Sequence, residues 1–118
     1  MDVCKKNHKA AIKNKLKNGN TVIAPIKNNI CSNLIAGNEN TVGVRVPNHL
    51  FCKELSKLFP NPITSTSVNR TGEKPLTNPD DISNEFKSDI DLIIDDGIIN
   101  GVGSKIFLFN NGSWKQLR

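Results

Sequence analysis

Hydrophobic positions along this chain change period several times, and the changes outline its elements. His8 to Asn18 places Ala10, Ala11, Ile12 and Leu16 among lysines and then meets Gly19. That spacing predicts a short surface helix with a glycine stop. Thr21 to Ile26 (TVIAPI) is rich in strand-forming residues but contains Pro25, which predicts an edge strand or a strand that ends there. Lys27 to Asn40 is polar and reads as a loop. TVGVRV (Thr41 to Val46) alternates, with Val42, Val44 and Val46 on one face and Thr41, Gly43 and Arg45 on the other, as in a half-buried strand. Pro47 ends it. Asn48 then stands where a cap is wanted for the helix HLFCKELSKLF, whose Leu50, Phe51, Leu55, Leu58 and Phe59 fall on one face.

Farther on, PITST (Pro62 to Thr66) predicts another strand, and Gly72 and Pro75 keep the polar stretch SVNRTGEKP out of regular structure. Asn78, Pro79, Asp80 and Asp81 combine a cap, a proline at the first helical position and acids in the first turn. They predict a short helix ending near Lys87. IDLII (Ile90 to Ile94) is a continuous apolar run, the pattern of a strand covered on both faces. SKIFLF and SWKQLR follow, separated by Asn110, Asn111 and Gly112, which is a hairpin signal. Strands and short helices in this order predict an α/β or α+β domain around a central mixed sheet.

Composition narrows the picture. The chain has 118 residues and 13.0 kDa, enough for one small domain with a core of its own. Its apolar fraction is 36%, against a usual value of about 45–50%, and Asn and Lys fill the difference. The net charge of +5 is unevenly placed: residues 1–40 hold seven Lys and two acids, whereas residues 41–118 hold nine basic and nine acidic groups. A uniformly basic binding face is therefore not supported. What remains is a basic N-terminal arm or short helix over residues 1–20, ahead of a domain spanning 21–118. Cys4, Cys31 and Cys52 are odd in number and lack C-x-x-C spacing, which points to reduced thiols in a cytoplasmic setting. No stretch reads as a signal peptide or approaches the roughly 20 apolar residues of a membrane span.

Several segments carry groups capable of chemistry. Thr64 to Gly72 (TSTSVNRTG) gathers hydroxyls, an amide and a glycine directly after a predicted strand. Short donors of this kind can hold an anion, although composition alone favours an ordinary hydrogen-bonded turn. Arg45 can fork onto a carboxylate or belong to a solvated strand face. His49 is a candidate base without an identifiable carboxylate partner. Cys4 and His8 have a ligand-like interval but do not make a metal site. Asp95-Asp96-Gly97 reads as a turn and lacks a D-x-D-x-D-G calcium loop. Ser104 stands behind the flexible Gly101-Val102-Gly103 without visible triad partners.

Taken together, TVGVRVPNH, TSTSVNRTGEKP, DLIIDDG, GVGSKI and the final SWKQLR resemble, in order and spacing, the YrdC domain of threonylcarbamoyl-AMP synthases. The R-V-P-x-H and S-x-N-x-[ST]-G segments are the most specific, and the resemblance runs from Thr21 to Arg118. It implies a twisted mixed sheet with short flanking helices. It also implies an enzyme that makes threonylcarbamoyl-AMP and pyrophosphate from L-threonine, bicarbonate and ATP, with Mg2+ accompanying the nucleotide, on the route to threonylcarbamoyladenosine in tRNA.

Residue by residue, the resemblance places Arg45, Ser65 and Ser104 on threonine, with Arg45 taking the carboxylate. Thr41, Ser67 and Arg118 fall on ATP, and Asn69 completes the S-x-N turn. Two departures stand out. The family's S-T-[VI]-[VI]-D reads Ser104-Lys105-Ile106-Phe107-Leu108 here. Before Thr21 there is neither a P-T-[DE]-T-x-Y-G strand nor the K-x-R segment that brings a lysine and an arginine to the phosphates, and the lysines of residues 5–17 do not match them. The expectation is thus a truncated or split domain, its N-terminal part missing, completed by a second chain or a homo-oligomer. Two alternatives stand beside it: an RNA-binding or tRNA-binding module without catalysis, and an inactive remnant with an unpaired apolar sheet edge.

Overall fold

The structure is a computed structural model that describes residues 6–26, 31–37 and 39–118. Cys4 and part of the predicted loop, residues 27–30 and 38, lie outside the described residues. The chain divides into two compact units, residues 1–60 together with 103–118, and residues 61–102.

In the first unit, α1 (Lys6–Lys17) ends where the glycine stop predicts: the Gly19 amide donates to the Leu16 carbonyl at 3.0 Å and Gly19 has φ +72°. A left-handed residue at a helix end is most easily glycine. Four strands follow: β1 (Thr21–Pro25), β2 (Thr41–Arg45), β3 (Ile106–Asn110) and β4 (Ser113–Gln116), in the sheet order β2-β1-β3-β4. The outer pairs are antiparallel and the inner pair, β1 with β3, is parallel. The sheet is therefore mixed, as the sequence predicts.

Strand β1 is central, which corrects the edge-strand alternative. Its proline is tolerated for a geometric reason. The Ile26 amide donates to the Asn40 carbonyl at 2.8 Å, and amides alternate in direction along a strand. The donor that Pro25 lacks would thus face the β3 side, where pairing stops at Ile23. The other alternative, a strand ending at the proline, is the one observed. The β3–β4 hairpin turns through Asn111 (φ 48°) and Gly112 (φ 90°), the two positive values a two-residue hairpin turn requires.

Among the described residues, Val22, Phe107 and Phe109 are the buried apolar ones. Register puts Val22 beside Phe107 and Trp114 opposite Phe109, all on the face that α1 covers. There the His8 ring meets Phe109 edge-on at 5.3 Å, and Lys15 Nζ sits 4.0 Å above the Phe107 ring. An ammonium over an aromatic face is attracted by the ring quadrupole, so one lysine of the basic helix is engaged inward. Each fully buried side chain contributes about 1.5–3 kcal/mol, which makes this a thin core.

Helix α2 (Leu50–Leu58) begins one residue later than predicted. The cap is His49, extended at φ −135° and without a side-chain cap bond. Its carbonyl accepts from Lys53 at 3.0 Å, so the ladder starts there and Asn48 lies outside it. The apolar face is present as expected but buries nothing: Leu50 is 73% and Leu58 85% exposed.

The second unit contains one regular element, α3 (Pro79–Phe86). Asn78 Oδ1 accepts from the Asp80 amide at 2.9 Å, and Asp80 and Asp81 lie in the first turn against the positive end of the helix dipole. The predicted strands at residues 62–66 and 90–94 are not formed. A strand needs a neighbour to take its amides and carbonyls, and within residues 61–102 neither run has a ladder partner. Leu92 is 75% exposed, the reverse of a strand covered on both faces. Among the described residues, no helix is long and apolar enough to cross a membrane.

Candidate functional site

One end of the first unit's sheet gathers much of the candidate chemistry. Arg45 closes β2 and Thr21 opens β1, and the two are register partners. Thr21 is also in register with Ile106 of β3, and its amide donates to the Lys105 carbonyl at 2.8 Å. This parallel pairing sets Ser104 beside Thr21, with the two hydroxyl oxygens 2.7 Å apart. Arg45 Nε donates to the Gly19 carbonyl at 3.2 Å. Thr21, Arg45 and Ser104 thus share the sheet face opposite α1. Gly43 lies on the same face next along β2, and a Cβ there would touch Thr21 Cγ2 and Ile23 Cγ1 at 3.8 Å. Its absence leaves the sheet bare beside Thr21.

Arg118 joins this end through an irregularity in the β3–β4 ladder. The Ile106 carbonyl accepts from the Leu117 amide at 2.8 Å, but the Ile106 amide donates to the Arg118 carbonyl at 3.0 Å. Two residues of one strand therefore oppose one of the other, which is a β-bulge. Strict alternation would send Arg118 to the α1 face; the bulge turns it to the face of Ser104. Its Nε and Nη2 donate to the Ser104 carbonyl at 3.2 and 3.1 Å. The guanidinium lies so close to Gly103 that a Cβ there would stand 2.8 Å from Nη2, so a side chain at this position would make the guanidinium shift.

Thr41 begins β2, opposite Pro25. Four residues of strand rise, about 13 Å, separate it from Arg45, so the sheet holds these two candidates at its opposite ends. Arg45, Ser104 and Arg118 are the candidates that the sheet brings to one end.

The other candidates belong to the second unit. Ser65 and Ser67 are exposed on irregular backbone, and Asn69 is half-buried. Asn69 Nδ2 donates to the Arg70 carbonyl at 2.8 Å, while its buried Oδ1 accepts no hydrogen bond. Turn bonds from Glu73 to Arg70 at 3.0 Å and from Leu76 to Val68 at 2.8 Å, with Gly72 at φ +87°, close the loop. Arg70 braces it. Its Nε donates to Glu85 Oε1 at 2.9 Å, its Nη2 to Asp89 Oδ2 at 2.7 Å, and its guanidinium stacks 4.6 Å from the Phe86 ring. The Glu85 hydrogen bond first, and then that of Asp89, raise the Arg70 pKa above its ordinary value.

Sequence reasoning passed over Thr21, Gly103 and Arg70 as site residues. Arg70 sits inside the S-x-N-x-[ST]-G segment and Gly103 directly before Ser104, so position alone pointed to both; nothing local marks Thr21. Asp95 behaves as a turn former, its Oδ1 accepting from the Gly97 amide at 2.8 Å. Among the described residues no group of three or more His, Cys, Asp or Glu could hold a metal ion. Two shallow depressions, one at Asn33 to Asn40 and one along α1, include none of the candidate residues.

The first unit is thus an α/β domain built on a mixed sheet, with two arginines and a hydroxyl pair at one end of that sheet. The profile of the Sua5/YciO/YrdC family, described as "Telomere recombination", matches residues 2–118, and the chain belongs to this family. The match takes in α1 as well as the span from Thr21. The chain is 28% identical over 96 residues to a threonylcarbamoyl-AMP synthase of Idiomarina loihiensis, covering 74% of this chain and 51% of that protein. It is 31% identical over 100 residues to one of Psychromonas ingrahamii (83% and 51%), and 32% over 62 residues to one of Serratia proteamaculans (52% and 33%). The chain thus spans about half the length, or less, of these curated relatives. No solved structure matches it.

Proposed function

We propose that this chain carries the substrate-binding part of a threonylcarbamoyl-AMP synthase acting in tRNA threonylcarbamoyladenosine modification. In that reaction the threonine nitrogen bonds to the carbon of bicarbonate, losing water, to give a carbamate. A carbamate oxygen then attacks the α-phosphorus of ATP and pyrophosphate leaves. Arg45 takes the threonine carboxylate, a bidentate match of charge and shape, and the Ser104 hydroxyl orients the amino acid, a role that the resemblance also gives to Ser65. The resemblance assigns Thr41, Ser67, Asn69 and Arg118 to ATP, which enters with its own Mg2+. No covalent enzyme intermediate is needed, because positioning and fixed positive charge carry the barrier reduction.

The observation that carries this reading is the meeting of Arg45, Ser104 and Arg118 at one end of the sheet, in a chain of this family. Threonine- and bicarbonate-dependent release of pyrophosphate from ATP tests it, with Arg45→Ala and Ser67→Ala as controls. Release abolished by either change is expected. A folded chain that releases none, or whose release ignores both changes, overturns the reading. A second reading, an RNA-binding module without catalysis, draws on α1, where Lys9, Lys13 and Lys17 form an exposed stripe on a helix with no acidic residue.

A further inference from the structure

Ser104 is held at two points. Arg118 grips its carbonyl with two N–H donors, and Thr21 holds its side chain at 2.7 Å, the usual length of an O–H to O hydrogen bond. Thr21 suits this task. It is β-branched and stiff about χ1, and its backbone is tied into β3 by the bond from its amide to the Lys105 carbonyl, with Arg45 of β2 in register on the other side. A serine hydroxyl left to itself has three staggered positions; the bond to Thr21 selects one. Each hydroxyl carries one proton and two lone pairs. If Thr21 supplies the shared proton, the Ser104 O–H is left to donate outward. If Ser104 supplies it, its oxygen is left to accept.

We propose that Thr21 is a positioning residue: it sets the Ser104 rotamer and thereby the recognition of the amino-acid substrate, without touching that substrate. The inference rests on the proposed function for its ligand, but its structural half stands alone. The test compares the full chain with Thr21→Val, which keeps the branched shape and removes the hydroxyl, and Thr21→Ser, which restores it. Ser104 χ1, read from three-bond Hα–Hβ couplings, is expected to be a single rotamer in the wild type and Thr21→Ser and averaged in Thr21→Val. A single unchanged rotamer in Thr21→Val overturns the proposal whatever the ligand does.

On the same samples, L-threonine affinity is expected to fall about tenfold in Thr21→Val, to recover in Thr21→Ser, and to fall no further when Thr21→Val is added to Ser104→Ala. Equal losses in the Val and Ser variants, or additive losses in the double variant, also overturn it. Failure of every protein to bind threonine, with the rotamer result as expected, counts against the substrate reading and leaves the positioning role in place.

Discussion

Arg70 Nη2 lies 2.7 Å from Asp89 Oδ2, and this contact joins the polar turn of residues 67–72 to the turn that follows α3. Since the second unit buries no apolar side chain, polar contacts of this kind carry its internal order. Arg70→Met is expected to speed hydrogen exchange at the Glu73 and Leu76 amides, which close the turn, while hardly moving the melting of the first unit. Arg70→Lys should not restore protection, because an ammonium can neither fork between Glu85 and Asp89 nor stack flat on Phe86. The pKa of Arg70 is raised by these partners. Its stabilising contribution is then fully present below the unfolded value and lost only as pH rises through the folded one. The arginine's own titration should therefore leave the turn unchanged across the neutral range. Amide exchange followed with pH by NMR checks both statements.

Gly103→Ala should displace the Arg118 guanidinium, whose Nη2 would lie 2.8 Å from the new Cβ. The expected cost is about 1 kcal/mol from the lost hydrogen bonds to Ser104, with ATP affinity reduced under the proposed function. The Arg118 Nε–H resonance should shift in Gly103→Ala; an unmoved signal would show that the guanidinium packs elsewhere.

The core predicts a sharp response to truncation. Phe109 is 2% exposed and touches Trp114 at a centroid distance of 4.8 Å. Phe109→Ala should cost about 3–5 kcal/mol, enough to unfold so thin a unit. Urea titration followed by Trp114 fluorescence should show a native baseline shortened or lost.

The apolar face of α2 should govern solution behaviour. Leu50 and Leu58 are 73% and 85% exposed, and such patches drive association. Leu58→Lys is expected to lower self-association with concentration in sedimentation velocity, at unchanged stability. If association is indifferent to this change, the contact lies elsewhere.

The lysine stripe of α1 has its own test. If RNA is bound there, Lys13→Gln with Lys17→Gln should reduce the slope of log affinity against log salt by about 2 and leave pyrophosphate release alone. An unaltered slope removes α1 from any such contact.

The sequence was most legible where local chemistry decides. Asn78, Pro79 and the acids behind them define the start of α3, and Asn111-Gly112 dictates a hairpin that only positive φ can close. It was least legible where a partner decides. Residues 90–94 have the composition of a buried strand, yet no neighbour in their unit pairs with them, and the run stays irregular and largely exposed. The candidate site shows the same division. Arg45 and Ser104 stand out by motif, but the approach of Arg118 depends on a one-residue bulge, and that of Thr21 on a parallel pairing between strands far apart in sequence. Neither leaves a local trace.

That parallel pairing has a consequence for the order of assembly. Thr21 and Ser104 are 83 positions apart, and everything from α2 to Gly103 must be made before β1 can meet β3. Until β3 is made, β1 has only β2 beside it, a two-stranded ribbon that is marginal in water. Val22 has neither Phe107 nor Phe109 to pack against until then. The nascent chain thus carries its lysine-rich helix and an open strand edge until the hairpin arrives. Late closure of so long a loop is slow and exposes apolar surface, which makes the interval between synthesis of β1 and synthesis of β3 the period in which this chain most needs shielding from others.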